Sequence, residues 1–342
     1  MLVGLFPAMP AGAQADGGVK VTVTVPQVWL RGEPSLLGGN VASVKKGDFY
    51  VANARTADNA WWRLTVPNAK TAETWLLADL GTVYSGDIAS VPVLSPALKA
   101  PAATKLPAFP KWIPQITPAQ RAIYQRAAAN GKDLNLFTVV GDCNSLPSIY
   151  LQRIATGQFN MASLGGLQRV VRQFDKSFPR ISLAAEGGFN AKAMMDPSWA
   201  PGSLCDVANG VGPFACEVWV SRASIVFIGL GTQEQYDWKD FEQAYRPMVE
   251  HALAKGVLPV LVTKADDIET ASGAESGFIN TIIRKLAAEY QVPLLDFEMA
   301  TRELPNHGLI DEGDKDFHLS YAGMDRRLVA TLQTLAAITG KS

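Results

Sequence analysis

Hydrophobic and polar residues follow a regular alternation in the second two thirds of the chain. Short apolar runs occupy residues 135–140, 181–185, 224–229, 258–263 and 293–297, and helical patterns lie between them, the longest at 238–255, 277–290 and 322–338. Strands that alternate with helices form a parallel sheet with helices on both faces. The pattern from residue 117 to 342 therefore predicts an α/β domain with three layers.

A different pattern precedes it. Residues 19–87 read as short strands broken by turn signals such as Arg31-Gly32-Glu33-Pro34 and Lys45-Lys46-Gly47-Asp48, which is typical of a small all-β barrel. Residues 88–116 are rich in proline and alanine and have almost no periodicity, as in a semi-rigid linker. The sequence thus predicts two domains joined by a linker, with Thr117 as the cap of the next helix.

The first 18 residues are apolar and then rich in small residues, with Ala11-Gly12-Ala13 and Ala13-Gln14-Ala15 fitting a signal-peptidase site. They lack a basic start, so we interpret them as the end of a signal peptide, with a disordered leader as the alternative. An extracellular or cell-envelope location is therefore expected. The net charge of −1 argues against a nucleic-acid binder, and no later apolar stretch has the length of a membrane span.

The segment LNLFTVVGDCNSLPSIY, residues 134–150, carries the most chemical information. An apolar, β-branched run ends at Gly141-Asp142-Cys143, and a helix is expected to follow. Ligands of open α/β sheets bind at the carboxyl ends of the strands, and a helix amino terminus there would stabilise an anion or a thiolate. Cys143 is therefore a candidate reactive residue, although it also suits a small buried hydrophobe.

Gly141-Asp142-Cys143-Asn144-Ser145 resembles the first block, Gly-Asp-Ser-x-Ser, of the SGNH (GDSL-like) hydrolases. Cysteine replaces the nucleophilic serine of that family. The resemblance implies that Cys143 attacks an ester and that its backbone N–H helps to hold the oxyanion, with Ser145 as an alternative reacting group. It also implies that Asp142 and Ser145 help to bind the substrate.

Three later segments resemble the remaining SGNH blocks. A glycine after the second strand, Gly187 or Gly188, and the side chain of Gln233, where the family has asparagine, would complete the oxyanion site. Glu234 stands in place of an aspartate and is expected at the substrate. Each of these two side chains is one methylene longer than in the family, and a misplaced donor costs about 10²–10³ in rate.

The fourth block supplies His318 as the base. The family's aspartate lies three residues before the histidine, but Lys315 occupies that position here. A histidine base needs a carboxylate to fix its orientation. We assign this role to Asp316, with Asp314 as the alternative.

Other residues refine these expectations. Lys264 follows the fourth strand and either contacts a polar or glycan substrate or lies in a solvated turn. Cys205 and Cys216 are expected to form a disulfide that leaves Cys143 free, with two ordinary buried thiols as the alternative. Among the other histidines, His251 is expected on a helix surface and His307 in a loop, with a place in the pocket lining as the less favoured alternative. No metal constellation or nucleotide motif occurs in the sequence, so no cofactor is expected.

VWLRGEPS, VKKGD, WWRLTV and TWLLADLG resemble the conserved segments of bacterial SH3-like domains. That resemblance implies binding to cell-wall peptide or glycan, with Trp61, Trp62 and Trp75 either in the core or on a binding surface. The sequence as a whole predicts an exported ester hydrolase acting on carbohydrate or cell-envelope acyl esters. The alternative is an inactive relative that binds cell-wall glycan or peptide.

Overall fold

The computed structural model of the 342-residue chain describes residues 18–234, 238–269, 273–313 and 317–340. The chain divides after Leu98 into two compact units. The predicted leader, apart from Gly18, lies outside the described residues.

The predicted linker at 88–116 is divided between the two units. In the first unit, the backbone N–H of Arg55 donates to the carbonyl of Pro92. In the second, the backbone N–H of Ala102 donates to the side chain of Gln168, and the carbonyl of Trp112 accepts from Asp296 N–H. Each half of the segment is therefore bonded to a folded unit along part of its length.

The first unit is a seven-stranded antiparallel sheet with the order β3-β2-β6-β5-β4-β1-β7. Its strands are β1 Val19–Val23, β2 Gln27–Arg31, β3 Asn40–Lys45, β4 Phe49–Arg55, β5 Trp61–Thr65, β6 Trp75–Leu77 and β7 Gly81–Ser85. Trp61, Trp62 and Trp75 are all buried, so they belong to the core of this unit and not to a binding surface. The all-β character agrees with the sequence, and the SH3-like assignment stays a prediction.

The second unit contains a four-stranded parallel sheet with the order β11-β10-β9-β8. Its strands are β8 Asp133–Gly141, β9 Ala223–Gly229, β10 Leu258–Val262 and β11 Leu294–Leu295. Every residue of β9 and β10 is buried, as expected for strands covered on both faces.

The predicted strand at 181–185 is wrong. Only Ala185 pairs with the sheet, through an isolated parallel bridge to Gly141, and the side chain of Ile181 is 77% exposed. The buried carboxylate of Glu217 accepts from the backbone N–H of Leu183 at 2.9 Å, so a side chain takes the place of a ladder partner.

Helices cover the sheet in two groups. One consists of α4–α7, which pack on one another, and the other consists of α1, α3 and α8 packed around α9. The helices are α1 Pro118–Arg126, α2 Gln152–Ala155, α3 Gln168–Gln173, α4 Ala191–Met195, α5 Pro213–Val220, α6 Phe241–Ala254, α7 Phe278–Glu289, α8 Phe297–Thr301 and α9 Tyr321–Thr339. Both groups contact strands of the sheet, which is the arrangement of an α/β domain with three layers. None of the helices in the described ranges is long and apolar enough to cross a membrane.

Candidate functional site

The loop after β8 begins at a glycine that no other residue can replace without strain. Gly141 has a φ of +147°, and a Cβ built there would lie 1.8 Å from the carbonyl oxygen of Gly229. The close approach of the two strand ends brings the loop after β8 next to the loop after β9. Cys143 and Gln233, which follow these strands, therefore share one edge of the sheet.

The helix expected after Cys143 is absent. Cys143–Ser145 forms a single 3₁₀ turn, and α2 begins only at Gln152 and has four residues. The segment after Cys143 therefore supplies no helix dipole of useful length to the thiol.

Cys143 is a buried free thiol beside an amide. The residue is 6% exposed, and the side-chain amide of Gln233 lies close enough to lower the pKa of the thiol. Burial, together with the charge of Asp142, raises the pKa of the Cys143 thiol to about 12. The expected stabilised thiolate is therefore not what this geometry favours, and the thiol keeps its proton at neutral pH. The longer side chain of Gln233 nevertheless reaches the candidate nucleophile.

The carboxylate of Asp142 joins the loop after β8 to the loop after β9. One carboxylate oxygen accepts from the backbone N–H of Thr232 and the other from that of Asn144, both at 3.0 Å. The residue is 2% exposed, and burial raises the pKa of its carboxyl. This placement holds the loops together and leaves Asp142 no surface for a substrate.

Ser145 is equally enclosed. Its hydroxyl donates to the carbonyl of Gly229 at 2.7 Å and accepts from Nη2 of Arg327 at 3.0 Å. The guanidinium of Arg327 lies over the rings of Tyr150 and Phe297, 5.4 and 5.2 Å from their centroids. Ser145 is fully buried, so its position suits a structural role and not attack on a substrate or contact with one.

His318 has a carboxylate partner that the sequence reasoning missed. Its Nδ1 lies 3.0 Å from Oε1 and 3.1 Å from Oε2 of Glu312. The predicted partners Asp316 and Asp314 lie outside the described residues. Glu312 was detectable only as another acid in the same loop, because the family spacing pointed to residues nearer the histidine.

Asn144 joins the nucleophile loop to the histidine loop. Its Nδ2 donates to the carbonyl of Phe317 at 2.5 Å, and its Oδ1 accepts from the backbone N–H of Leu319 at 3.0 Å. These two bonds hold the backbone on both sides of His318. Since Asn144 follows Cys143 directly, these bonds place the backbone of the histidine loop beside the loop that carries the candidate nucleophile.

The segment that leads into the glycine turn is hydrogen-bonded to the end of β8. The backbone N–H of Glu186 donates to the carbonyl of Gly141, and Gly187 and Gly188 follow in an exposed turn in which Gly188 has a φ of +90°. Glu234 is 3% exposed, and its Oε1 accepts from the backbone N–H of Ala191 at 2.7 Å. Glu234 thus fixes the segment after the glycine turn to the loop of Gln233, which is a positioning role.

The side chain of Lys264 is buried and its ammonium is hydrogen-bonded within the protein, so the residue does not lie in a solvated turn. Its ammonium donates to the carbonyl of Ile268 at 2.7 Å and to Oε2 of Glu269 at 2.9 Å, and its side chain is 7% exposed. It lines a cleft of about 300 Å³ next to Asn144 and Phe317.

The remaining predictions concern cysteines, histidines and metals. Cys205 and Cys216 form the predicted disulfide, with their Cα atoms 5.5 Å apart, and Cys143 is free. His251 lies on α6 against Phe214 and close to Lys132, which immediately precedes β8. It is therefore at the end of the sheet away from the site loops. Across the described ranges, no group of histidine, cysteine and acidic residues is arranged to hold a metal ion.

Among known proteins, the chain is similar to several solved structures. No family profile and no curated protein matches the chain. The chain is similar to a lipase/acylhydrolase from Enterococcus faecalis, with 14% identity and a TM-score of 0.38 over 60% of this chain and 97% of that one. It is also similar to an acetylxylan esterase, Axe2, from Geobacillus stearothermophilus, with 16% identity and a TM-score of 0.38 over 58% of this chain and 93% of that one. A third similar structure belongs to a lipolytic protein of the G-D-S-L family from Desulfitobacterium hafniense, with 14% identity and a TM-score of 0.35 over 58% of this chain and 99% of that one.

Proposed function

We propose that the second unit is an SGNH-type hydrolase of acyl esters in which Cys143 is the nucleophile and His318 the base. The observation that supports this most is the pair of hydrogen bonds from the side chain of Asn144 to the backbone on either side of His318. A second is the contact between the amide of Gln233 and the thiol. Nucleophile, base and oxyanion donor then meet at one edge of the sheet, as this chemistry requires.

The pair of His318 and Glu312 sets the direction of proton transfer. With Nδ1–H donating to the carboxylate of Glu312, Nε2 is left with a lone pair that faces away from it. Nε2 therefore takes the thiol proton as Sγ attacks, which suits a cysteine whose raised pKa keeps it protonated. This is general-base catalysis and does not need a preformed thiolate.

The reaction proceeds in two halves. In the first, Sγ of Cys143 bonds to the carbonyl carbon, and the oxyanion is held by the Cys143 N–H, the Gln233 amide and an N–H of Gly187 or Gly188. The intermediate collapses to a thioester, and His318 passes its proton to the departing alcohol. In the second half, His318 takes a proton from water as the water oxygen attacks the thioester. The C–S bond then breaks, and His318 returns the proton to Sγ, which releases the acid and restores the free thiol.

The proposed substrates are acyl esters of carbohydrates or other cell-envelope components. The protein would work outside the cytoplasm, where the disulfide between Cys205 and Cys216 is stable. The first unit, as an SH3-like module, would attach the enzyme to cell-wall peptide or glycan.

One observation favours the alternative, an inactive binding protein. The buried thiol of Cys143 keeps its proton, and a thiol in that state is a poor nucleophile unless the base removes the proton during attack. In this alternative, the same edge of the sheet binds a glycan or peptide without turnover.

Hydrolysis of a short-chain aryl ester by the full chain discriminates between the two functions. The hydrolase proposal expects turnover that Cys143→Ala and His318→Ala abolish, and that the remote variant His251→Gln leaves unchanged. Turnover equal in wild type and Cys143→Ala would refute a thiol nucleophile. No turnover in any variant would favour the binding protein.

A further inference from the structure

A cleft of about 300 Å³ opens beside the candidate catalytic residues in the second unit. Three residues that line it, Asn144, Thr232 and Phe317, each precede or follow Cys143, Gln233 or His318 directly in the sequence. A group in the cleft is therefore next to the bond that the proposed reaction breaks. Its volume lies at the lower end of the roughly 300–1,000 Å³ of small-molecule sites, enough for one small ring.

Three charged residues also line the cleft, and we call them the Lys264 cluster: Lys264, Asp266 and Glu269. The ammonium of Lys264 lies 2.9 Å from Glu269 and 3.6 Å from Asp266. One positive and two negative groups give the Lys264 cluster a net charge of −1. Because these side chains are only 4–10% exposed, that charge is weakly screened by solvent.

Asp266 offers a free acceptor to the cleft. Its Oδ1 accepts from the backbone N–H of Ile268 at 3.2 Å and faces Lys264, whereas Oδ2 accepts no hydrogen bond from the described part of the chain. Both carboxylate oxygens of Glu269 are occupied, one by Lys264 and the other by the backbone N–H of Ile279. Asp266 is therefore the member of the Lys264 cluster that can bind a ligand.

Apolar side chains complete the cleft. Ile268, which is 63% exposed, lines it together with Leu309 and the ring of Phe317. A carboxylate acceptor and apolar surface in one cleft suit a molecule with hydroxyl donors at its edge and C–H groups on its faces. An anion would meet the net negative charge of the Lys264 cluster.

We propose that this cleft binds an uncharged sugar ring, that Asp266 accepts hydrogen bonds from its hydroxyls, and that the cluster excludes sugars carrying a carboxylate. The inference rests on the proposed hydrolase function, because the ring would be the part of the substrate that bears the ester. Asp266 would then determine specificity without taking part in bond breaking.

Binding to the full-length Cys143→Ala variant tests this without any turnover. The probes are methyl β-D-glucopyranoside and methyl β-D-glucuronide, which differ only in whether C6 is a hydroxymethyl group or a carboxylate. We expect saturable binding of the glucoside and at least about fivefold weaker binding of the glucuronide, the effect of one like-charge contact. Titration followed by NMR or calorimetry gives both constants.

Three further variants show whether the cluster is responsible. Asp266→Asn should weaken glucoside binding about tenfold, because a charge-assisted hydrogen bond is lost. The same variant should reduce the preference for the glucoside over the glucuronide, because a negative charge is removed from the cluster. Ile268→Lys, at an exposed position, should raise affinity for the glucuronide at least to that for the glucoside. Glu303→Gln removes an exposed acid outside the cleft and should change neither constant.

Equal binding of the two probes, no saturable binding of the glucoside, or no effect of Ile268→Lys would overturn the inference. Failure of the hydrolase proposal would look different. In that case the binding preferences persist, and wild type hydrolyses no ester.

Discussion

Nδ1 of His318 lies within hydrogen-bonding distance of both carboxylate oxygens of Glu312, at 3.0 and 3.1 Å. The two residues lie six positions apart in the same loop. Glu312 would thereby fix the tautomer and ring orientation of the base and stabilise the imidazolium that forms during attack.

Glu312→Gln should therefore lower kcat for ester hydrolysis about 10²-fold or more, since the amide no longer stabilises the charged ring. The measurement is steady-state hydrolysis of an aryl ester, with Glu303→Gln as a charge-matched control on the surface. A larger loss in Asp316→Asn or Asp314→Asn than in Glu312→Gln would return the role to the residue predicted from the sequence.

The contact between Gln233 and Cys143 makes a second prediction. Gln233→Ala removes a side-chain donor from the oxyanion site and should reduce kcat by about 10²–10³ with little change in KM. Gln158→Ala, at an exposed position, is the matched control. A loss of kcat accompanied by a marked fall in the melting temperature would instead indicate that Gln233 acts through folding.

The state of the Cys143 thiol can be followed by alkylation. Its pKa is raised to about 12, so at pH 8 iodoacetamide should label the folded protein at least about a hundredfold more slowly than the denatured chain. The raised pKa also fixes the sign of a stability effect. The contribution of the protonated thiol to the free energy of unfolding is complete below pH 9.0, the ordinary pKa of a cysteine. It is lost as the pH rises towards about 12. Labelling of the folded protein as fast as the denatured chain would contradict the buried, protonated thiol.

A variant of Ser145 tests whether this residue stabilises the fold or reacts with the substrate. Ser145→Ala removes the hydrogen bonds to Gly229 and Arg327 in a fully buried position and should lower the free energy of unfolding by about 1–3 kcal/mol. Ser163→Ala, at an exposed site, should change it by less than about 0.5 kcal/mol. Chemical denaturation measures both. Abolished ester hydrolysis in fully folded Ser145→Ala would restore Ser145 as a reacting group.

The sequence predicted the features that depend on local pattern. Apolar runs located four of the five expected strands, and the turn signals identified an all-β unit before them. The short, turn-rich loop between Cys205 and Cys216 identified the disulfide. Each of these follows from residues close to one another along the chain.

What the sequence did not predict depends on contacts between distant segments. Ile181–Ala185 looked like a strand, yet the carboxylate of Glu217 takes the N–H of Leu183. The thiol of Cys143 looked activated, but the next residues form one 3₁₀ turn and the side chain is buried. The pairing of Glu312 with His318 and the hydrogen bond from Asn144 to the histidine loop depend on loop conformations that residue spacing does not determine.

Peptide mapping after acid quenching tests the nucleophile most directly. The full chain is mixed with an aryl acetate, quenched within the first turnovers and digested, and the peptide that contains Cys143 is analysed by mass spectrometry. If Cys143 attacks with His318 as its base, that peptide carries an acetyl thioester in wild type and none in His318→Ala. Turnover of the ester with Cys143 unmodified, or modified equally in both proteins, would contradict this mechanism.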